Sequence, residues 1–193
     1  MPAELWLVRH GETAWSIAGR HTGTTDLPLT ENGRAAAEAA GRRLGGIEFA
    51  RVVTSPLARA RETCSLAGFG ERAEILAELA EWNYGEDEGV TTAAIRETRP
   101  GWTIWTHGPR GGESREQVAS RADRTIAGIR RVEGRTLAFC HGHFSRVLAA
   151  RWIGLPLVQA RHLRLETAAI SVLGWERETA AIRLWNDTGK LPD

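Results

Sequence analysis

The string LWLVRHGETAWSIAGRHTGTTDLPL at residues 5–29 turns from apolar to ionic in one step, and that step restricts the folds open to the chain. Residues 5–8 form an apolar run suited to a buried strand. Arg9, His10, Gly11 and Glu12 follow at once: a fixed cation, an imidazole, a residue without a side chain and a carboxylate. Open α/β sheets bind ligands outside the carboxyl ends of their strands, so chemistry is expected here. A guanidinium offers a rigid fork of donors that matches phosphate oxygens. A neutral imidazole is a competent nucleophile, and neighbouring positive charge favours its neutral form. Gly11 permits a tight turn and a close approach of backbone N–H groups to an anion.

The same pattern recurs twice. Residues 51–54 (RVVT) are a β-branched run leading into SPLARARET, which carries Arg59, and residues 136–140 (TLAFC) lead into His141. In a parallel sheet these three strand ends share one rim. Two arginines and two imidazoles would repel one another in an empty pocket, and a dianion between them removes the conflict. Paired histidines also bind metals. Here no carboxylate or cysteine stands at zinc spacing and the flanking cations oppose a metal ion, so neither a metal nor another cofactor is expected.

The rest of the chain reads as a framework for those ends. Helices are expected over 31–44, capped by Thr30 and stopped by Gly45-Gly46, and after Pro56. Further helices are expected over 91–98, over 114–131 with a Ser114/Gln117 capping box, and from His141 to Ile153. Strands are expected over 73–76, 162–166, 170–175 and 181–185, the last two as a hairpin or edge strands. Residues 78–89 read as an ordered acidic loop, and 101–112, with Trp102, Trp105 and His107, as irregular and lid-like. The pattern implies an α/β three-layer sandwich with a mostly parallel central sheet, one antiparallel edge strand and helices on both faces. Residues 1–193 are expected to form one domain with a short helical or lid insertion at about 90–113.

Composition excludes several classes of partner. With 42% hydrophobic and 25% charged residues and a formal charge of +1, neither nucleic acid nor an anionic membrane is expected as a partner. No run approaches the ~18 apolar residues of a membrane span, and no signal-peptide pattern opens the chain. Cys64 and Cys140 read as unpaired packing residues, so the cytoplasm is the expected location. Lys190 is the only lysine; arginine therefore supplies nearly all the positive charge, and no single arginine is diagnostic alone.

LVRHGETAWS, continuing into GRHTGTTDLPLTENG, resembles the histidine phosphatase superfamily, which includes cofactor-dependent phosphoglycerate mutases and many small phosphatases. The likeness is nearest to acid-phosphatase-like and sugar-bisphosphatase-like members. It implies a phosphoglycerate mutase-like fold and a set of roles. His10 would take the phosphoryl group, while Arg9, Arg59 and His141 hold its oxygens, Arg59 being picked by the pattern Ser-x-x-x-Arg-Ala from Ser55. The pattern Leu-x-Glu-x-x-x-Gly-x-x-Glu-Gly selects Glu81 among the loop acids as proton donor, facing Trp82 and Tyr84. Thr22 and Gly23 fall where the family adds phosphate contacts, and Ser16 replaces an asparagine common there. Gly142 and His143 would line the substrate end, His143 departing from the usual His-Gly-Gly.

The implied activity is a metal-independent phosphomonoesterase acting through a phosphohistidine on a small phosphorylated metabolite, a sugar phosphate or phosphoglycerate. The alternative is a cofactor-dependent phosphoglycerate mutase. Such mutases resemble longer chains with an extended basic insertion, whereas residues 90–112 are short, lysine-free and tryptophan-rich, which favours hydrolysis. A catalytically silent phosphate-binding module fits poorly with five intact residues, Arg9, His10, Arg59, Glu81 and His141. Trp102, Trp105, His107 and the turn at 112–114 are expected to shape specificity, and a homodimer remains open.

Overall fold

In a computed structural model of the chain, residues 2–189 are described; Met1 and residues 190–193, Lys190 among them, lie outside these. Among the described residues six strands form one sheet: β1 (Glu4–Arg9), β2 (Arg51–Thr54), β3 (Glu74–Ile75), β4 (Arg135–Cys140), β5 (Ile170–Glu176) and β6 (Thr179–Asp187). Their order is β3-β2-β4-β1-β5-β6. The first four run parallel. The expected antiparallel edge is the hairpin, with β5 against β1 and β6 against β5. The predicted strand at 162–166 does not form. Its backbone is used otherwise: Leu165 O accepts from Arg9, Arg164 O accepts from Trp185, and Glu166 N donates to Asn186.

Helices α1 (Ala14–Ile17), α2 (Glu31–Leu44), α3 (Ala58–Leu66), α4 (Thr92–Thr98), α5 (Ile104–His107), α6 (Arg115–Ile129) and α7 (Gly142–Trp152) cover the sheet. The caps act as their residue types predict. The Thr30 side chain accepts the Gly33 N–H at the start of α2, and Ser114 with Gln117 forms a reciprocal capping box at the start of α6.

Alternation along the central strands decides the layering. Leu5, Leu7, Val53, Ala138 and Cys140 share a core with α6 and α7. Val8, Val52, Leu137 and Phe139 share the other with α2 and α3. The chain therefore leaves the neighbouring strands β1 and β4 towards opposite faces, to α2 and to α7. That divergence opens a crevice beyond their carboxyl ends, the place where doubly covered sheets hold ligands.

The segment expected to be lid-like is packed down. Trp102 is 2% exposed and Trp105 8%, and the Trp102 indole donates to Gly108 O at 2.9 Å. Burying large aromatic side chains anchors it to the α6–α7 layer. No helix among the described residues is long and apolar enough to cross a membrane.

Candidate active site

Strand register gathers the polar residues. Arg9 pairs with Cys140, and Thr54 with Phe139, so the next residues His10, His141 and Ser55 emerge side by side. Their backbones stay laced together: His10 N donates to Cys140 O at 2.9 Å, and Ser55 N to Phe139 O at 3.0 Å. The His10 and His141 rings lie 5.3 Å apart, centroid to centroid.

His10 Nδ1 is 2.8 Å from Gly11 O. A carbonyl only accepts, so Nδ1 carries the hydrogen and Nε2 of the neutral ring keeps its lone pair. Burial holds the His10 pKa well below its ordinary value, and Arg9 and Arg59 push the same way. His141 is likewise held well below, by burial first and Arg59 next, and its Nε2 meets Ser55 Oγ at 2.6 Å. Both rings are thereby kept neutral.

Arg59 is wholly buried and gives both terminal nitrogens to backbone carbonyls, Nη1 to Thr25 at 3.0 Å and Nη2 to Thr22 at 3.0 Å and Gly23 at 2.9 Å. Arg9 donates Nη1 to Leu165 O at 2.5 Å. What remains is a set of buried atoms without partners: Arg9 Nε, Arg59 Nε and His141 Nδ1. A buried polar group left unpaired costs about 1–3 kcal/mol. The Arg9 and Arg59 guanidinium groups also repel each other, and Glu81 offsets part of the cost of burying both. An oxyanion would satisfy both deficits at once.

Glu81 is built differently. Its Oε1 accepts N–H groups from Trp82 and Phe144 at 2.9 Å each, and its Oε2 accepts from His143 at 2.9 Å. Two of those donors belong to the first turn of α7, where the helix presents unpaired N–H groups and positive dipole. The expected packing against Trp82 and Tyr84 is not what holds it. The Trp82 indole turns to Glu113 O, and the Tyr84 hydroxyl meets His143 Nδ1 at 2.5 Å. Arg121 clamps the Glu81 loop from behind, bonding the carbonyls of Glu78, Ala80 and Glu81 and pairing with Glu113.

A cavity of about 240 Å³ opens over these groups. Of the expected residues, Arg9, His10, Ser16, Thr22, Glu81, Gly142 and His143 line it. Arg59 and His141 are fully buried and are not among the lining residues, although the His141 ring stands 5.3 Å from that of His10, which is. Gly23 also stays off the wall. Its N–H donates to Glu88 Oε1 at 2.8 Å, and a Cβ there would sit 2.6 Å from Trp82 O, so its smallness serves packing and not a phosphate contact. Ser16 closes a capping box with Thr13 at the start of α1, which occupies its hydroxyl. Gly11 differs from expectation too. Its N–H goes to Thr63 Oγ1, and a Cβ would meet Gly33 O at 2.4 Å, so it lets the β1 loop lie directly on α2. Of the specificity candidates, Trp102 is core and His107 hydrogen-bonds its neighbour Thr106, while Trp105 reaches His143 at 4.9 Å.

The family model of the histidine phosphatase superfamily (branch 1) matches residues 5–188. The chain belongs to the histidine phosphatase superfamily. It is 44% identical over 189 residues to an acid phosphatase of Mycobacterium tuberculosis, covering 96% of this chain and 93% of that one. It is 36% identical over 181 residues to sedoheptulose 1,7-bisphosphatase of Saccharomyces cerevisiae, covering 77% and 67%. The solved structure of mycobacterial glucosyl-3-phosphoglycerate phosphatase, a complex with VO3, matches with a TM-score of 0.85 at 29% identity over 96% of this chain and 99% of that one.

Sequence reasoning passed over three further residues of this histidine phosphatase cavity: Arg20, His21 and Arg146 also line it. His21 is buried against Tyr84 and Trp102, with ring centroids 4.9 and 5.4 Å away. Arg146 carried a usable signal. It lies three and four residues after His143 and Gly142 on one helix, hence on their face.

Proposed function

We propose that this histidine phosphatase is a metal-independent phosphomonoesterase that hydrolyses a small phosphorylated metabolite through a phosphohistidine on His10. One observation carries the reading: two neutral histidines at adjacent strand ends stand among buried arginines whose Nε atoms lack partners. Arginines supply the charge neutralisation that a metal gives elsewhere.

His10 Nε2 attacks phosphorus, and the ester P–O bond breaks as the N–P bond forms. Arg9, Arg59 and His141 hold the equatorial oxygens from the floor. Glu81 then gives its proton to the leaving alkoxide. As a carboxylate it takes a proton from water, which attacks phosphorus; the N–P bond breaks and Nε2 recovers its electron pair. The segment at residues 90–112 is short and lysine-free, which supports hydrolysis over mutase action, since a mutase must exclude that water. Cys64 and Cys140 are unpaired thiols pushed up to about 12 by burial, in keeping with a reducing cytoplasm.

The relatives' names extend from acid phosphatase to sugar bisphosphatase, and the same range of substrates is proposed here. Phosphate release from a panel of phosphometabolites tests the reading, with 2-phosphoglycerate formation from 3-phosphoglycerate followed in parallel. Release exceeding isomerisation is expected. Rapid isomerisation with negligible release would reverse it.

A further inference from the structure

Glu88 is not among the residues that line the cavity, yet its carboxylate binds the loop that holds Arg59. Its Oε1 accepts the Gly23 N–H at 2.8 Å and the Thr25 N–H at 3.0 Å. The Arg59 guanidinium binds the carbonyls of the same loop: Gly23 O at 2.9 Å, and Thr25 O and Thr22 O at 3.0 Å each. Residues 22–25 are thus gripped by a buried cation through their carbonyls and by a carboxylate through their N–H groups. The Thr22–Gly23 peptide is bonded at both ends. A trans peptide aims its C=O and N–H in opposite directions, and no cis bond occurs among the described residues. Its dipole therefore lies head to tail between the guanidinium of Arg59 and the carboxylate of Glu88, where each bond polarises the next. The pair acts as an ion pair with one peptide unit inserted.

The surroundings are built to keep that arrangement. A Cβ on Gly23 would stand 2.6 Å from Glu88 Oε2, so only glycine lets the carboxylate come this close. Oε2 itself is buried without a hydrogen-bond partner, which leaves the loop N–H groups on Oε1 as the contacts that hold the carboxylate. The backbone beside it is moored to the same loop, Gly89 N donating to His21 O at 2.8 Å. At the far end Asp26 Oδ1 accepts the Ala58 N–H at 2.7 Å, one residue before Arg59. Burial lowers the pKa of Arg59, and Glu81 first, with Glu88 among the other charges, acts against it. A guanidinium is planar and rigid, so three carbonyls on its terminal nitrogens fix the plane in which its unpartnered Nε lies.

We propose that Glu88 is a positioning residue for the phosphoryl site: by holding the Gly23 and Thr25 N–H groups it fixes the carbonyls that orient Arg59. The proposal rests on the cavity being a phosphomonoesterase site, and it gives Glu88 neither a contact with substrate nor a proton to transfer.

A double-mutant cycle tests it, read as kcat/KM for a nitrophenyl phosphate ester in the wild type, Glu88→Ala, Arg59→Lys and the double variant. Arg59→Lys keeps a cation but removes the planar fork that grips the loop. Glu88→Ala is expected to cost about 10- to 100-fold beside Arg59 and less than about threefold in the Arg59→Lys background, the coupling found within one hydrogen-bonded network. An alkoxide ester should fall by the same factor, because Arg59 serves the phosphoryl oxygens and not the leaving group. Glu88→Gln, which keeps an oxygen for the two N–H groups, should restore most of the loss. If Glu88→Ala does not fold, Glu88→Asp, whose carboxylate is drawn back from the loop, carries the same cycle. Equal losses in both backgrounds, or lowered stability with kcat/KM unchanged, would show that Glu88 only supports the fold, and would overturn the proposal. Calorimetric binding of inorganic phosphate to the same four proteins separates this from the phosphatase reading. If phosphate affinity shows the coupling but the wild type hydrolyses no ester, the positioning role stands and the phosphatase reading fails. If esters are hydrolysed without coupling, the reverse holds.

Discussion

The floor of the cavity and the wall that carries Glu81 are built on opposite principles. On the floor, Arg9, Arg59 and His141 each keep a buried polar atom without a partner. On the wall, Glu81 accepts three backbone N–H groups and its loop is clamped by Arg121. The floor is unsatisfied until an anion arrives, whereas the wall is complete without one. Binding energy should therefore come from the floor. Under the proposed mechanism the wall would contribute a proton at a fixed point, held within reach of the leaving oxygen by the three backbone N–H groups on Glu81.

The largest effect that tests this division concerns Glu81→Gln. Single-turnover phosphorylation by an alkoxide ester is expected to slow by roughly 10²- to 10⁴-fold, the usual worth of positioned proton transfer. A nitrophenyl ester, whose leaving group departs unaided, should suffer much less. Equal slowing of both would take the acid role away from Glu81, and the same leaving-group dependence in Glu88→Gln alone would move it there. Glu88 has another task in this structure, holding the Gly23 and Thr25 N–H groups with Oε1.

A smaller effect separates the two regions by sign. Inorganic phosphate at 100 times its dissociation constant should stabilise the fold by about 2.7 kcal/mol, or roughly 5–10 °C in Tm for a chain of this size. Glu81→Gln should keep or enlarge that shift, because it removes a carboxylate facing the dianion. Arg59→Met should abolish it. Loss of the shift in Glu81→Gln with retention in Arg59→Met would invert the comparison.

The smallest effect is on stability against pH. His10, His21, His141 and His143 all have pKa values held below the ordinary 6.5, chiefly by burial. The unfolded chain takes up protons below about pH 6.5 that the native state refuses, so stability falls as pH drops from there, each group contributing at most about 1.4 kcal/mol per pH unit. Phosphate should offset only the share of the floor pair, His10 and His141. Denaturant titrations at pH 7.5 and 5.5, with and without phosphate, check this; stability flat across that range would contradict the burial assigned to these rings.

Much of the floor was legible because it is local. Arg9-His10, Ser55 to Arg59 and His141 each follow their strand directly, and parallel pairing brings strand ends together whatever lies between. The helix caps Thr30 and Ser114 were legible for the same reason. The wall was not, since its construction is long-range: Glu81 is held by the start of α7, sixty-odd residues on, and Arg121 reaches it from α6. Gly11 and Gly23 show a subtler limit. Gly11 was read as room for an anion and Gly23 as a phosphate contact implied by the family resemblance, yet the space beside them is taken by Gly33 and by Glu88 and Trp82. The strand predicted at 162–166 had suitable residues but lost its ladder to contacts with Arg9, Trp185 and Asn186. Residues 101–112 read as irregular and lid-like by composition, and within them Trp102 and Trp105 are buried.

The central claim is that His10 Nε2 carries the phosphoryl group. Rapid quench of the wild type with labelled substrate, followed by mapping of the labelled peptide, tests it most directly. The account predicts one acid-labile, base-stable phosphohistidine on the peptide containing His10, formed fast enough to lie on the turnover path and absent from His10→Ala. Equal labelling of His10→Ala, or label on another residue, would contradict it.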